Sequence, residues 1–229
     1  MPKTAKRPRP KIGKAGAKAK AKPKSKTPHP FSFPAKPYRR IHGPQGHSDY
    51  VAYKPWLRDE FEFRCVYCLT RERWGPEAHN RFSIDHVKPK SLHQDLTCDY
   101  DNLIYACIRC NTLKSTMLGL PDPCKVSLAS HLKLNLRSGR FLALTGQGEQ
   151  LIEYLRLNAQ DRVDDRCFHL LIFQSIDPRI RKALPLKFGY PPDLPDLSKL
   201  RPPQGNSRPE GVMMSHFARY HRKELPLYY

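Results

Sequence analysis

The chain has 229 residues, with 41 Lys and Arg against 21 Asp and Glu, and a formal net charge of +20. No stretch approaches the roughly 18–20 apolar residues that cross a bilayer, which excludes an integral membrane protein. No apolar segment follows the charged N-terminus, so we expect no secretory signal and a cytoplasmic protein.

The positive charge is concentrated at the N-terminus. Residues 1–40 carry 14 Lys and Arg and no acidic side chain, which leaves a net charge of +6 for the rest of the chain. Lys, Ala and Pro dominate this segment, and such a composition buries too little apolar surface to offset its ordering entropy. We therefore predict a disordered basic tail over residues 1–40. It would keep the protein near nucleic acid through counterion release, or else act as a solubilising or localising extension.

The segment 41–122 contains the first predicted elements. Pro55 is placed for the first turn of a helix. Residues 81–87 alternate apolar and polar side chains, which predicts a strand, and a polar loop follows. A short apolar run at 103–106 predicts a second strand, and a helix is expected over 107–117.

Further elements are predicted downstream. Alternating leucines indicate a hairpin over 131–145, and apolar residues at helical spacing indicate helices over 147–158 and 161–175. The Pro-rich composition of 177–210 favours irregular structure, and 213–229 is a candidate docking helix. The predicted division is a disordered tail at 1–40, a core domain at 41–122, a hairpin with two helices packing on that core at 123–176, and a Pro-rich irregular extension at 177–229.

Four of the seven cysteines form two C-x-x-C pairs. The pairs are Cys65 with Cys68 and Cys107 with Cys110. Zinc binds four thiolates in a tetrahedron, and a full set leaves no position for water, which predicts a structural zinc. The alternatives are four unrelated buried thiols or a redox site, although a redox site would need one pair in a βαβ setting. The remaining cysteines lack such spacing and are expected to be small buried hydrophobic residues or incidental thiols: Cys98, Cys124 and Cys167.

A series of polar residues lies between and over the two pairs. The sequence reads Asp85-His86-Val87-Lys88-Pro89-Lys90-Ser91, then Asp101-Asn102-Leu103, then Cys107-Ile108-Arg109-Cys110-Asn111-Thr112-Leu113-Lys114. Together with the first cysteine pair, this pattern over residues 60–118 resembles the HNH endonuclease family, in the zinc-knuckled branch of the ββα-metal (His-Me finger) superfamily. The resemblance implies an α+β fold, with a ββα-metal nuclease core and a four-cysteine zinc site. The C-terminal hairpin-and-helices unit and the disordered basic tail would be additions to that core.

The resemblance also implies roles for individual residues. His86 would activate water as the general base, Asp85 and Asn111 would hold a Mg²⁺ or Mn²⁺ ion, and Asn102 would hold the loop and orient the base. Carboxylate and amide oxygens suit such a hard cation. The residues alone raise one difficulty, because neighbouring side chains in a strand point to opposite faces. A strand end or a bulge would let Asp85 and His86 line one cleft.

Two positions depart from the family pattern. Asn111 stands in the last position, where His would be expected, which favours Mg²⁺ or Mn²⁺ over a softer metal. The Gly-Gly often found after the P-x-S is replaced by Leu92-His93, so we expect a loop of different shape. The basic residues near the motif would contact phosphate, or else form an ordinary solvated surface: Lys88, Lys90, Arg109 and Lys114.

The pattern as a whole predicts a metal-dependent endonuclease that hydrolyses phosphodiester bonds in DNA, with RNA left open as a substrate. The alternative from another class is a non-catalytic zinc-knuckle protein that binds nucleic acid, which would have no need of Asp85, His86 and Asn111 together. A third interpretation, an RNA-directed or structural zinc protein, is weaker because no stacking motif is present. No membrane partner is expected, and the sequence predicts no particular oligomeric state.

Overall fold

The computed structural model describes Met1 and residues 30–75 and 81–229. Within these ranges the strands form two antiparallel pairs, and helices surround them. The strands are β1 (Phe82–His86), β2 (Leu103–Cys107), β3 (Leu132–Leu134) and β4 (Phe141–Ala143). The α-helices are α1 (Lys54–Glu60), α2 (Ile108–Lys114), α3 (Gly146–Tyr154), α4 (Gln160–Gln174), α5 (Pro178–Phe188), α6 (Glu210–Met214) and α7 (His216–His221).

Strands β1 and β2 form the hairpin from which α2 leaves. Phe82 pairs with Cys107 across the two strands, and the ring of Phe82 stacks on that of Tyr105 with 5.0 Å between centroids. All of β2 is buried, as its apolar run predicts. Cys107 ends β2 and caps α2, because its Sγ accepts a hydrogen bond from the backbone N–H of Cys110. The predicted order of strand, loop, strand and helix is therefore confirmed.

The N-terminal segment continues the folded core. Phe31 and Phe33 are buried. Phe31 packs against Trp74, and Phe33 packs against Phe141. The prediction of a disordered tail is wrong from residue 30 onwards, because two aromatic side chains bury enough apolar surface to fix this stretch. The rest of the predicted tail, residues 2–29, lies outside the described residues.

The hairpin and helices predicted after residue 130 are present as β3–β4, α3 and α4. The prediction of irregular structure after residue 177 is wrong for α5, which has 11 residues. Asp177 caps this helix by accepting a hydrogen bond from the N–H of Arg179, and Pro178 occupies the first turn. Proline at that position starts a helix, because its missing N–H has no partner there in any case. None of the helices in the described ranges combines the length and apolar character needed to cross a bilayer.

Most of the buried apolar residues form one cluster, which runs from Phe31 to Leu197. A buried carboxylate links distant segments across this core. Asp59, near the end of α1, accepts hydrogen bonds from Nε2 of His42 at 2.8 Å and from the backbone N–H of His216 at 2.7 Å. Burial by itself raises the pKa of Asp59, but the hydrogen bonds from the two histidines lower it to about 2. The N-terminal and C-terminal segments are thus joined to the same helix.

Candidate active site and metal centre

The four cysteines of the two C-x-x-C pairs meet beside the β1–β2 hairpin. Their Sγ atoms all lie within 4.8 Å of one another, and all four residues are buried. The Sγ atoms of Cys68 and Cys107 are 3.7 Å apart. A tetrahedron with Zn–S bonds of about 2.3 Å has an edge of roughly 3.8 Å, so the donor atoms and their spacing fit one zinc ion. Burial raises the pKa of the Cys65 thiol, and a bound cation would hold it as the thiolate instead.

A guanidinium group from the C-terminal half of the chain contacts this sulfur cluster. Nη1 and Nη2 of Arg162 in α4 lie 3.5 Å and 3.4 Å from Sγ of Cys110. Nη1 also donates to the carbonyl oxygen of Leu155 at 3.2 Å. Four thiolates around a divalent ion carry a net negative charge, which a permanently protonated guanidinium stabilises. The surroundings of the cysteine cluster therefore extend beyond the segment that carries the cysteines.

His86 ends β1 with its ring held in one orientation. Its Nε2 lies 3.0 Å from the carbonyl oxygen of Thr97. Because a carbonyl oxygen only accepts, Nε2 carries the hydrogen, and the neutral ring keeps its lone pair on Nδ1. The ring of Tyr50 packs edge-on against the imidazole at 4.9 Å between centroids. Burial lowers the pKa of His86, which favours the neutral form that can take up a proton.

The neighbouring Asp85 has a different set of partners. Its side chain is enclosed, with only 2% of the residue exposed. Oδ2 accepts a hydrogen bond from the hydroxyl of Tyr67 at 2.8 Å, and Oδ1 accepts one from the ammonium of Lys114 at 3.0 Å. Burial raises the pKa of Asp85, and the Lys114 ammonium opposes that effect. The Asp85 carboxylate and the imidazole of His86 thus contact different neighbours, as side-chain alternation along a strand predicts.

Asn111 lies on α2, one turn before Lys114, and faces β1. Its Nδ2 donates to Oγ of Ser83 at 2.9 Å and to the carbonyl oxygen of Ile84 at 3.1 Å. Among the described residues, no hydrogen bond engages its Oδ1. The Asp85 carboxylate also retains lone pairs, because each of its oxygens can accept twice. A carboxylate and an amide oxygen are donors that fit Mg²⁺ or Mn²⁺.

Asn102 fixes the loop between β1 and β2. Its Oδ1 accepts a hydrogen bond from the N–H of Lys88 at 2.8 Å. Its Nδ2 donates to the carbonyl oxygens of Lys88 and Leu96, both at 3.1 Å. Leu96 directly precedes Thr97, whose carbonyl accepts the hydrogen bond from His86. These bonds therefore stabilise the stretch of backbone that orients the imidazole, which is the role that the resemblance implies for Asn102.

Three of the four basic residues predicted to contact phosphate are exposed. Lys88 and Lys90 follow His86 on the loop, and Nζ of Lys90 lies 3.2 Å from the hydroxyl of Tyr50. Arg109 has a side chain that is 44% exposed and pairs with Asp161 of α4. Both lysines are therefore exposed to a ligand without an acidic partner in the described residues, whereas Arg109 already has a carboxylate partner.

The fourth basic residue, Lys114, is buried, with only 2% of the residue exposed. Its Nζ donates to Asp85 and, at 2.6 Å, to the carbonyl oxygen of His86. The prediction that Lys114 lies on a phosphate-contacting surface is therefore wrong. Its position on the same face of α2 as Asn111 turns it towards the hairpin.

The sequence pattern does not identify Tyr67, Tyr50 or Arg162 as part of the site. Tyr67 lies inside the first C-x-x-C pair, where its ring is expected to be buried. A buried tyrosine hydroxyl usually has a hydrogen-bond partner, and that is the signal in the sequence for its contact with the site. Tyr50 and Arg162 lie outside the motif, and only the folded chain brings them to His86 and Cys110.

The model of the HNH endonuclease family matches residues 65–116. The match spans both cysteine pairs, β1, β2 and α2, and it confirms the resemblance to this family over that segment. No curated protein and no solved structure matches the chain. The chain therefore contains an HNH endonuclease domain, which indicates nuclease activity on nucleic acid, and a four-cysteine cluster that can bind zinc.

Proposed function

We propose that the HNH domain of this chain hydrolyses phosphodiester bonds in DNA and depends on a divalent cation. The observation that carries the proposal is the state of His86, whose Nε2 donates to the Thr97 carbonyl while its Nδ1 lone pair is left for a water molecule. The family match over residues 65–116 supports the same reaction.

The proposed base acts through the free nitrogen of its ring. An attacking water must lose a proton as its oxygen approaches phosphorus, and a positioned imidazole takes that proton. Because burial lowers the pKa of His86, the ring is neutral and able to accept at neutral pH. The Thr97 carbonyl then stabilises the protonated ring, since it already accepts the hydrogen on Nε2.

The proposed cation ligands are an oxygen of Asp85 and Oδ1 of Asn111. When Mg²⁺ or Mn²⁺ is bound there, it supplies positive charge to the phosphate oxygens and to the leaving oxygen. Asn102 keeps the loop in place while His86 takes the proton from water. The cysteine cluster would hold zinc in a purely structural role, because all four ligand positions are filled by sulfur.

The proposed substrate is DNA, with RNA as the alternative. The exposed ammonium groups of Lys88 and Lys90 follow the base directly on the loop and suit phosphate contacts. Such contacts position a nucleic-acid backbone and carry no base sequence, so these residues favour a polyanionic substrate without specifying its sequence.

Cleavage of supercoiled plasmid DNA in the presence of Mg²⁺ or Mn²⁺ tests this proposal. His86→Ala is expected to lower kcat by about 10²–10⁴-fold, the usual contribution of a general base. Zinc content and melting temperature should be retained. Asn111→Ala is expected to require a higher cation concentration for half-maximal cleavage.

His221→Ala is the matched control, because it removes an exposed imidazole from the end of α7. It should cut as the wild type does. A wild-type protein that binds DNA but cuts with neither cation would favour the non-catalytic zinc-knuckle interpretation. Cleavage of RNA alone would change the substrate class.

A further inference from the structure

Tyr67 links the cysteine cluster to the proposed cation-binding carboxylate. It lies between Cys65 and Cys68, so its backbone is held on both sides by cysteines of the cluster. Its hydroxyl donates to Oδ2 of Asp85 at 2.8 Å, and its ring is only 1% exposed. A single buried side chain therefore spans from the metal knuckle to β1.

The second partner of Asp85 is anchored in the same way. Lys114 lies one turn beyond Cys110 on α2 and donates to the other oxygen, Oδ1, at 3.0 Å. A carboxylate that accepts from two donors on different oxygens cannot rotate about its terminal bond without losing one of them. Tyr67 lies inside one C-x-x-C pair, and Lys114 lies on the helix that Cys107 caps. The orientation of the carboxylate is therefore tied to the geometry of the cluster.

We infer that Tyr67 is a positioning residue that fixes the Asp85 carboxylate for cation binding and couples that carboxylate to the zinc knuckle. The inference rests on the proposed function, since it takes Asp85 to be a cation ligand. Hydrogen bonds that orient a metal ligand typically contribute 10–100-fold to metal affinity. The hydroxyl of Tyr67 should contribute to divalent-cation affinity in the same range.

The test is a Mn²⁺ titration of zinc-loaded, full-length Tyr67→Phe, followed by the free-Mn²⁺ electron paramagnetic resonance signal. The variant should bind the same number of Mn²⁺ ions as the wild type, with a Kd raised about 10–100-fold. The Mn²⁺ concentration for half-maximal plasmid cleavage should rise in parallel, while the rate at saturating Mn²⁺ changes much less. Zinc content, measured by atomic emission, should stay at the wild-type level.

Tyr105→Phe is the matched control. It deletes one buried hydroxyl from β2, the strand that pairs with the strand of Asp85, but that hydroxyl donates to Glu72 and not to Asp85. A general loss of stability would lower the number of binding sites in either variant, whereas a positioning role raises Kd in Tyr67→Phe alone.

An unchanged Kd in Tyr67→Phe, an equal rise in Tyr105→Phe, or loss of zinc from Tyr67→Phe would each overturn the inference. In these cases Mn²⁺ binding and cleavage by the wild type leave the proposed function standing. A wild type that neither binds Mn²⁺ nor cuts would instead remove the proposed function, and this inference with it.

Discussion

The carboxylate of Asp85 lies against the ammonium of Lys114, and both side chains are almost entirely buried. Breaking a buried ion pair by removing one partner is costly, because the remaining charge has lost its solvation and its counter-charge. A divalent cation at Asp85 would supply positive charge at the same carboxylate. Lys114 is therefore a stabilising partner whose importance should depend on whether the cation is bound.

Lys114→Met is expected to lower the free energy of unfolding by about 3 kcal/mol in metal-free buffer, because it leaves the buried Asp85 carboxylate without its counter-charge. Added Mn²⁺ should restore more stability to this variant than to the wild type. Thermal melts with and without Mn²⁺ measure both effects.

Lys125→Met is the control for this substitution, since Lys125 pairs with Asp122 at the surface with a side chain that is 77% exposed. Surface pairs contribute little, so its melting temperature should stay near the wild-type value. If the metal-free Lys114→Met protein had the same melting temperature as the metal-free wild type, the prediction would be contradicted.

At the scale of elements, α4 and the β1–α2 unit are joined through the cysteine cluster. Arg162 of α4 contacts Sγ of Cys110, although the two residues are far apart in the chain. The guanidinium lowers the electrostatic cost of gathering four thiolates in a buried site. The helix thus forms part of the surroundings of the cluster, even though it supplies none of the four cysteines.

Arg162→Met is expected to weaken zinc binding by about 10–100-fold, because it removes the positive group beside the thiolates. The rate of zinc transfer to a chromogenic chelator measures the effect. Arg181→Met, on the exposed face of α5, should leave that rate unchanged. Equal rates in the Arg162→Met and wild-type proteins would show that the contact does not stabilise the centre.

The elements of the HNH segment were predictable because their signals are local. Two C-x-x-C spacings, an alternating strand and a short apolar run lie within a few dozen residues, and each agrees with the others. The helix α5 was not predicted because proline counts as a breaker by composition, whereas Pro178 sits where a helix begins. The burial of Lys114 was not predicted because its partner, Asp85, is reached only once α2 packs on β1.

At the scale of the whole molecule, the N-terminal segment combines two kinds of residue. Phe31 and Phe33 pack into the core, and their partners Trp74 and Phe141 lie far along the chain, so sequence neighbours give no hint of their burial. The 11 Lys and Arg of residues 1–29 precede these aromatics. A truncation between residues 29 and 31 should therefore remove the basic residues and leave the packing of the two aromatic side chains intact.

Deletion of residues 2–29 is expected to weaken DNA binding and to flatten its dependence on salt, because fewer phosphates are neutralised. The melting temperature and the rate of cleavage at saturating DNA should be retained. Deletion of residues 2–37 should also lower stability by several kcal/mol, since removing a buried Phe costs about 3–5 kcal/mol. Fluorescence anisotropy of a labelled duplex over a salt series, with thermal melts, distinguishes the two deletions. If the shorter deletion left DNA affinity unchanged, residues 2–29 would not contribute to DNA binding.

The hydrogen bonds of Asp59 have a consequence for how the protein matures during synthesis. His42 is made before Asp59, but His216 follows it by 157 residues. At about 5–20 residues per second, translation needs roughly 8 to 30 s to cover that interval. Once residue 116 has been made, the whole HNH segment is present, while the buried carboxylate of α1 still lacks one of its two histidine partners. A nascent chain that stalls before His216 would remain incompletely folded, even with its whole HNH segment already made.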